Sequence, residues 1–299
     1  LDGSSRFAPG REWGFFPSVS AGWRLSEEPF FEGLQGAVPN LKLRASVGTA
    51  GNDGTSAYQW LSGFFFDSFF AINETAIPTI DNTSLPNRDL TWETIITYDI
   101  GLDAALFDYG LTISFDYFHR YRSDVLAFAS GSVPSTLGVG LAAQNFYEFS
   151  NEGYEVALTY DKKVNRDMRI TAGVNFSHSR ETAEFIDEAT ISDPFMRQNL
   201  TVTGGFTNLR RGYVSDGLFQ SQEEIEQSPV QDNSGNSTLR PGDVKYVDLN
   251  GDNIIDVRDQ KVFGNGDKPV FNYSLNLGVN YKNFALSVLI TGAAGYDIY

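Results

Sequence analysis

The sequence predicts an all-β fold: an antiparallel transmembrane β-barrel portion of about eight strands with long external loops. Eight segments alternate apolar and polar residues with a period of two, the repeat of a strand with one apolar and one polar face. The connections between these segments alternate short and long, as do the turns and external loops of outer-membrane barrels. Aromatic residues end the apolar faces, as in the girdles at both membrane interfaces.

A soluble β-sandwich alternates in the same way, so the period alone leaves both architectures open. The polar faces of the predicted strands carry frequent full charges and few large side chains. A water-filled lumen accommodates such side chains, and this observation favours the barrel.

The first predicted strand covers 13–25 (WGFFPSVSAGWRL), where Val19 and Trp23 share one face and Ser18 lies on the other. Trp13 and Trp23 lie at positions that, on one tilted strand, would span the ~25 Å apolar band of a barrel. The other strands are predicted over 41–50, 96–106, 111–122, 154–161, 169–177 and 271–282, with a last one beginning at 284.

The alternation also assigns each strand residue to a face. The predicted lipid-facing residues are Val19, Val47, Ile100, Ile113, Leu158, Val174, Leu277 and Val288. The predicted lumen-facing residues are Ser18, Arg44, Asp99, Asp116, Asp161, Asn175 and Asn276. Because a register slip of one residue inverts a whole strand, this assignment is a strict test of the fold.

The connections predict how the strands are oriented. The N-terminal segment 1–12 is rich in glycine, serine and charge, as loops are. Short connections are predicted at 26–40, 108–110, 163–168 and Asn283, and long ones at 51–92, 127–152 and about 180–270. With the long loops external, Leu1 and Tyr299 are both expected near the outer side. A complete bacterial barrel has both chain ends on the periplasmic side of the membrane. We therefore expect an internal fragment whose eight strands do not close on themselves.

Composition excludes several classes of protein. The 299 residues are 41% hydrophobic, but no run approaches the ~18 apolar residues of a membrane-spanning helix. The formal charge of −16 argues against a nucleic-acid partner. The absence of cysteine excludes disulfides, a thiol nucleophile and a cysteine zinc site. No signal peptide is visible at Leu1, which agrees with a missing N-terminal part.

Five long segments are distinctive: DGSSRFAPGREWGFFPSVSAGWRLSEEPFF, LKLRASVGTAGNDG, LTWETIITYDIGLDAALF, SNEGYEVALTY and DLNGDNIIDVRDQKVFGN. In this order they resemble the SusC/RagA family of TonB-dependent outer-membrane transporters. The resemblance implies a barrel of about 22 strands with a plugged lumen. It also implies import of oligosaccharides or peptides across the bacterial cell outer membrane, energised by TonB, together with a SusD-type lipoprotein lid.

On this resemblance, 1–299 is a partial β-barrel in which the N-terminal plug and the final strands are absent. The rival interpretation is an adhesin or structural barrel that only presents external loops. An outer-membrane hydrolase is a third, but the sequence lacks a GxSxG or HExxH motif, and its two histidines are far apart. The chain is therefore not expected to be an enzyme.

One acidic segment, DLNGDNIIDVRD, has the ligand spacing of an EF-hand calcium loop. The predicted ligands at positions 1, 3, 5, 7, 9 and 12 are Asp248, Asn250, Asp252, Ile254 (through its carbonyl), Asp256 and Asp259. Asn253 replaces the usual glycine, although asparagine tolerates positive φ, and Asp259 replaces the usual glutamate. A structural calcium ion in an external loop is the prediction, and a solvated acidic loop is the alternative.

Four other features of the sequence are weaker signals. Aromatic residues of the first long loop could stack on a substrate or pack within the loop or on a lid protein; they are Tyr58, Trp60, Phe64, Phe65, Phe66, Phe69 and Phe70. His119 and His178 fall on the outward phase and are expected at a membrane interface. Arg120 and Arg122, followed by Asp124, are expected to form ion pairs in the lumen, with ligand binding as the alternative. Arg210 and Arg211 are a poor signal for an anionic ligand.

Overall fold

Eight antiparallel strands form one continuous sheet in the order in which they occur along the chain. The computed structural model describes residues 1–72, 75–82, 84–129, 131 and 135–297. The sheet strands are β1 Ser18–Arg24, β2 Asn40–Asn52, β3 Glu93–Leu106, β4 Leu111–Ala127, β5 Gln144–Lys163, β6 Met168–Phe185, β7 Phe271–Tyr281 and β8 Phe284–Ala294. The prediction of eight antiparallel strands is confirmed.

The two ends of the sheet are open. Strands β1 and β8 occupy the outer positions, and no ladder joins them within the described ranges. The predicted failure of these eight strands to close is therefore confirmed. The expected position of Tyr299 lies outside the described residues.

Cross-strand register produces the two predicted faces. Antiparallel partners lie on the same face of a sheet, and Val19 lies opposite Val47 while Leu277 lies opposite Val288. All fifteen face assignments agree with the register of their ladders. The apolar face is not packed in a core, since Val19 is 66% exposed.

The first strand is shorter than predicted, and a continuous strand over 13–25 is wrong. Trp13–Gly14 forms a separate two-residue ladder with Asp2–Gly3, and β1 begins only at Ser18. Pro17 lies between them and has no N–H to donate, although its carbonyl accepts the Thr49 amide at 2.9 Å. Trp13 and Trp23 therefore do not mark the two ends of one strand.

Strands β5 and β6 are much longer than predicted, with 20 and 18 residues. A tilted strand needs only about 9–11 residues to cross a bilayer. The two strands are joined by a short turn at 164–167, where the Val164 amide donates to the Met168 carbonyl at 2.9 Å. The excess length of both strands therefore extends on the side of the long connections.

The first long connection contains a hairpin of its own, Phe64–Ile72 paired with Thr75–Asn82. The N-terminal segment, predicted as a loop, contributes to a small core beside this connection. Phe7 is 1% exposed and its ring centroid lies 5.4 Å from that of Trp92. Leu90 and Ala143 complete the buried cluster. The segment before β1 is thus fixed by packing rather than by ladder hydrogen bonds alone.

The longest connection forms most of a second compact unit, Thr190–Pro269 with the residues from Gly295 onward. The first unit is Leu1–Ala189 with Val270–Ala294. The elements of the second unit are α1 Pro194–Leu200, α2 Gln222–Gln227, a 3-10 turn Val257–Asp259, and the ladders Arg210–Tyr213 with Gln260–Phe263 and Ser215–Leu218 with Val244–Tyr246. Further 3-10 segments, Leu25–Glu27, Pro29–Leu34 and Ser135–Leu137, lie in the first unit.

Among the described residues, no helix has both the length and the apolar character needed to cross a membrane.

Candidate functional site

The polar face of the sheet carries the candidate site. Asp116 on β4 lies opposite Glu155 on β5, so carboxylates of neighbouring strands share this face. An open groove of 560 Å³ runs along it. Its lining residues are Thr97, Asp99, Asp116, Phe118, Arg120, Arg122, Asn151, Glu155, Ser179 and Glu181. A groove lined by charged and amide side chains offers hydrogen bonds to a polar solute or to a polar protein segment.

Arg44 links three strands on this face. Its Nε donates to Asp103 Oδ2 at 2.7 Å, and its Nη2 lies 2.9 Å from Asp116 Oδ1. Ser114 Oγ donates to the second oxygen of Asp103 at 3.0 Å. Gly101 leaves room for this network, because a Cβ there would meet the Arg44 guanidinium at 2.6 Å. Arg44 thus lies on the predicted inward face, where it forms ion pairs with carboxylates of two other strands.

Arg122 forms the second network, as its inward phase predicted. Its Nε and Nη2 donate to Glu93 Oε1 at 2.9 and 2.8 Å, and Asn52 Nδ2 donates to the other oxygen at 3.2 Å. The Glu93 side chain is only 4% exposed. Glu181 lies 3.7 Å from the Arg122 guanidinium. The ion pairing of Arg122 is confirmed, but its partner lies on another strand and was not predicted.

For Arg120 and Asp124 the prediction of lumenal ion pairs is wrong. Within the described ranges Arg120 has no ion pair, although it lines the groove. Asp124 has a positive φ of 56° at an irregularity in the β4–β5 ladder. Its carboxylate accepts from Ser123 Oγ at 3.3 Å rather than from an arginine.

The two histidines lie on the apolar face, as predicted. His119 lies opposite Tyr98, with ring centroids 6.4 Å apart. The His178 ring lies 5.3 Å from that of Tyr154 and 4.6 Å from that of Phe271. Each histidine is therefore part of an aromatic set on the outward face, the composition expected near a membrane interface.

Five phenylalanines of the first long connection are not packed within that loop, whereas Trp60 is partly buried. Phe64, Phe66 and Phe69 are 67%, 72% and 71% exposed. Phe65 and Phe70 are also exposed, on the same hairpin. Packing within the loop, one of the interpretations of this cluster, is therefore wrong for these five rings.

The basic pair at 210–211 is used inside the second unit. Arg210 Nη2 donates to Asp267 Oδ2 at 2.7 Å. Arg211 Nη2 donates to the Leu200 carbonyl at 2.9 Å, at the end of α1. These contacts stabilise the loop and give the pair a structural role.

The predicted calcium ligands form a tight acidic loop. Asp248 accepts the Gly251 and Asn253 amides, each at 2.7 Å. The Asn250 and Asp252 side chains accept the amides two residues further on, at 2.9 and 3.0 Å. Asn253 has a φ of 67°, so the asparagine adopts the conformation in which glycine is usual. These hydrogen bonds shape the turn that the spacing predicts.

The second half of the loop is held by Arg258 and by a buried carboxylate. Arg258 Nη2 lies 2.6 Å from Asp252 Oδ2 and 2.8 Å from Asp256 Oδ2, and its hydrogen bonds lower the pKa of the Asp256 carboxyl. Asp259 is fully buried and accepts the Leu249 and Asp256 amides, each at 2.8 Å.

Ile254 forms an isolated bridge with Val230. In this arrangement no three acidic or histidine side chains of the described residues are placed to hold a metal ion.

Sequence reasoning missed a second anion-stabilising turn in the same unit. The Asp232 carboxylate accepts the Ser234, Asn236 and Thr238 amides at 2.7, 2.8 and 2.9 Å. Thr238 Oγ1 donates to it at 2.8 Å. These hydrogen bonds, led by the Thr238 amide, lower the pKa of Asp232 to about 2. The run Asp-Asn-Ser-Gly-Asn is a turn signal, but it does not identify the carboxylate as the acceptor of four donors.

Comparisons with known proteins agree with this architecture. A model of the family described as TonB dependent receptor-like, beta-barrel matches residues 1–288. The chain is 30% identical to TonB-dependent receptor P3 of Formosa agariphila, over 99% of this chain and 30% of that protein. It is 25% identical to TonB-dependent receptor SusC of Bacteroides thetaiotaomicron, over 100% of this chain and 29% of that protein.

A solved structure of the RagAB peptide transporter shares the fold, with a TM-score of 0.75 at 18% identity. The alignment covers 98% of this chain and 30% of that one. The chain thus spans about 30% of the length of the relatives it matches.

Proposed function

Because the chain belongs to the TonB dependent receptor-like β-barrel family, we propose that its parent protein imports oligosaccharides or peptides across the bacterial outer membrane. Proteins of this family are receptors and transporters of the outer membrane rather than enzymes. The proposal includes energy supplied through TonB and a SusD-type surface lipoprotein as partner. The main support for the proposal is the match to the family model, together with a sheet that has one charged and one apolar face.

The two substrate classes have different origins. One structural neighbour is described as a peptide transporter, and oligosaccharides enter through the resemblance of the sequence to the SusC/RagA family, to which the relative SusC also points. The polar groove on the inner face has carboxylates, guanidinium groups and amides, which hydrogen-bond to sugars and to peptide backbones alike. We therefore propose both substrate classes, and measurements of the uptake of each class distinguish between them.

The test uses the intact protein in its own host. We expect deletion of the gene to abolish uptake of one labelled set, oligosaccharides or peptides, and complementation with the full gene to restore it. Deletion of TonB should abolish the same uptake. An adhesin or structural barrel would leave uptake of both sets unchanged, and that result would contradict the proposal. Co-purification of a lipoprotein with the tagged intact protein tests the proposed partner.

We further propose that the acidic loop binds a structural calcium ion. The support is the oxygen-ligand spacing from Asp248 to Asp259 and a turn already shaped by its own hydrogen bonds. Binding would recruit Asp252 and Asp256, whose carboxylates now lie beside Arg258. Calcium takes about 6–8 oxygen ligands at about 2.3–2.6 Å, so the loop must rearrange on binding and waters complete the shell.

Calorimetric titration of the intact protein with calcium tests this proposal. Asp252→Ala should abolish binding because it removes a ligand. Arg258→Ala should strengthen it, because the guanidinium no longer competes for two carboxylates. Asp216→Ala is the matched control, since this aspartate pairs with Lys245 outside the loop. Equal binding by the wild type and Asp252→Ala would refute the calcium site.

A further inference from the structure

The turns that join β5 to β6 and β7 to β8 lie side by side at the end of the sheet that carries the short connections. Met168 of β6 pairs with Tyr281 of β7. The Lys282 amide of one turn donates to the Asp167 carbonyl of the other at 2.8 Å. Side chains that belong to separate hairpins in the sequence are therefore neighbours at this end.

These two turns are basic, although the chain as a whole is acidic. Residues 161–169 and 282–283 contain five basic and two acidic side chains, whereas the formal charge of the chain is −16. One of the two acids, Asp161, is paired with Arg169. The other acid is Asp167, in the turn itself. Positive charge is therefore in excess where the two turns meet.

The ladder register places Lys162 on the outward face of the sheet. Lys162 lies opposite Ile170, and Ile170 lies opposite Val279, in the same ladders that place Leu158, Val174 and Leu277 on the lipid face. The next residue, Lys163, lies opposite Arg169 and therefore on the lumenal face. Two consecutive lysines thus lie on opposite faces, and only the first faces lipid.

Lys282 reaches the same outward face from the neighbouring turn. Its Nζ lies 5.5 Å from the centroid of the Tyr281 ring, and Tyr281 shares the face of Val279, two residues earlier on β7. Arg166 is exposed in the β5–β6 turn. Among the residues that the structure describes, Lys162, Arg166 and Lys282 have no ion-pair partner. Ammonium and guanidinium groups in this position suit the oxygens of a phosphate group.

We propose that Lys162, Arg166 and Lys282 form a binding site for the phosphate headgroup of an anionic phospholipid in the leaflet on the short-connection side. The ligand is a lipid rather than a soluble anion, because Lys162 stands on the lipid-facing side and its neighbours in the ladder are apolar. Its alkyl stem can lie along Ile170 while the ammonium reaches the headgroup layer. The site is independent of the solute that the protein imports.

Native mass spectrometry of the intact protein, mixed in detergent with equal amounts of phosphatidylglycerol and phosphatidylcholine, tests the site. The wild type should retain phosphatidylglycerol several-fold more. Lys162→Gln should reduce this preference several-fold, and adding Arg166→Gln and Lys282→Gln should reduce it further. Lys163→Gln is the matched control, because it removes the same charge one residue away on the lumenal face and should keep the wild-type preference.

Two results would overturn the proposal. One is an equal preference for phosphatidylglycerol in the wild type and the triple variant, or an equal reduction in Lys162→Gln and Lys163→Gln. The other is displacement of the bound lipid by inorganic phosphate at the same concentration, because the site would then bind a soluble anion.

A second measurement uses the unaltered protein. In phosphatidylcholine vesicles, a water-soluble amine-reactive reagent should label Lys162 and Lys282. Replacing part of the lipid by phosphatidylglycerol should lower the labelling of both several-fold relative to Lys163, and high salt should reverse the effect because the attraction is screened. Unchanged labelling ratios in the two lipid compositions would contradict the site even if the variants failed to fold.

Discussion

At the scale of single residues, the buried carboxylate of Glu93 depends on its partners. Arg122 and Asn52 are its hydrogen-bond donors, and the side chain is 4% exposed. A charge removed from water is strongly destabilising when its partner is lost. The inward phase of Arg122 was predictable from the alternation, whereas Glu93 was not, because the two residues meet only through the register of β3 and β4.

We expect Arg122→Ala to lower the free energy of unfolding by about 1–3 kcal/mol, because Glu93 loses its main charged partner. The matched control is Arg120→Ala, on the same strand and face. No ion pair of Arg120 is present in the described part of the chain, so its change should stay within about 0.5 kcal/mol. Urea unfolding of the intact protein in lipid vesicles measures both. Equal losses would contradict the assigned role of the ion pair.

At the scale of elements, the two faces of each strand should respond differently to charge. Leu277→Arg places a guanidinium on the lipid face and should cost about 2–4 kcal/mol near the middle of the bilayer. Asn276→Arg, one residue earlier on β7, points to the lumen and should cost much less. Reversible unfolding in vesicles compares the two variants. The opposite order would mean that the register assigns the faces wrongly.

The turn around Asp232 should be sensitive to acid. Its pKa is lowered to about 2 by the surrounding donors, from an ordinary value of 3.8. The stabilisation from the carboxylate is thus present above the ordinary value and is lost as the pH falls from there towards 2. Hydrogen exchange at the amides of Ser234, Asn236 and Thr238 should accelerate beyond its intrinsic pH dependence over this range. Asp232→Asn should weaken protection at neutral pH and remove the acid-dependent change; an unchanged profile would contradict this.

The eight-stranded sheet was predicted from the sequence better than the loops were. A half-buried strand requires alternation, so β7 and its ladder partners were recognised from residues such as Leu275 and Leu277. The predicted first strand ran through Pro17 because this residue fits the apolar pattern, although the missing N–H of proline interrupts the ladder there. Loop ladders such as Arg210–Tyr213 with Gln260–Phe263 join segments far apart in sequence and have no local periodicity.

At the scale of the whole molecule, the open edges predict pairing with strands outside these residues. Unpaired backbone groups are costly in lipid. In the intact protein in vesicles, the β8 amides that point away from β7 should therefore be protected from hydrogen exchange, and in the isolated chain they should exchange. Strand β4, paired on both sides, should be protected in both forms and serves as the control. Rapid exchange of these β8 amides in the intact protein would contradict the prediction.

The order of strands in the sheet is also their order in the chain. Each ladder of this sheet therefore joins strands that are neighbours in the sheet order, even where a long connection separates them, as it does between β6 and β7. Gain or loss of one β-hairpin would change the number of strands around the barrel. The ladders between the other strands would keep their partners. Genes for such walls can accordingly diversify by duplicating or losing two strands at a time, which agrees with the even strand numbers of bacterial barrels.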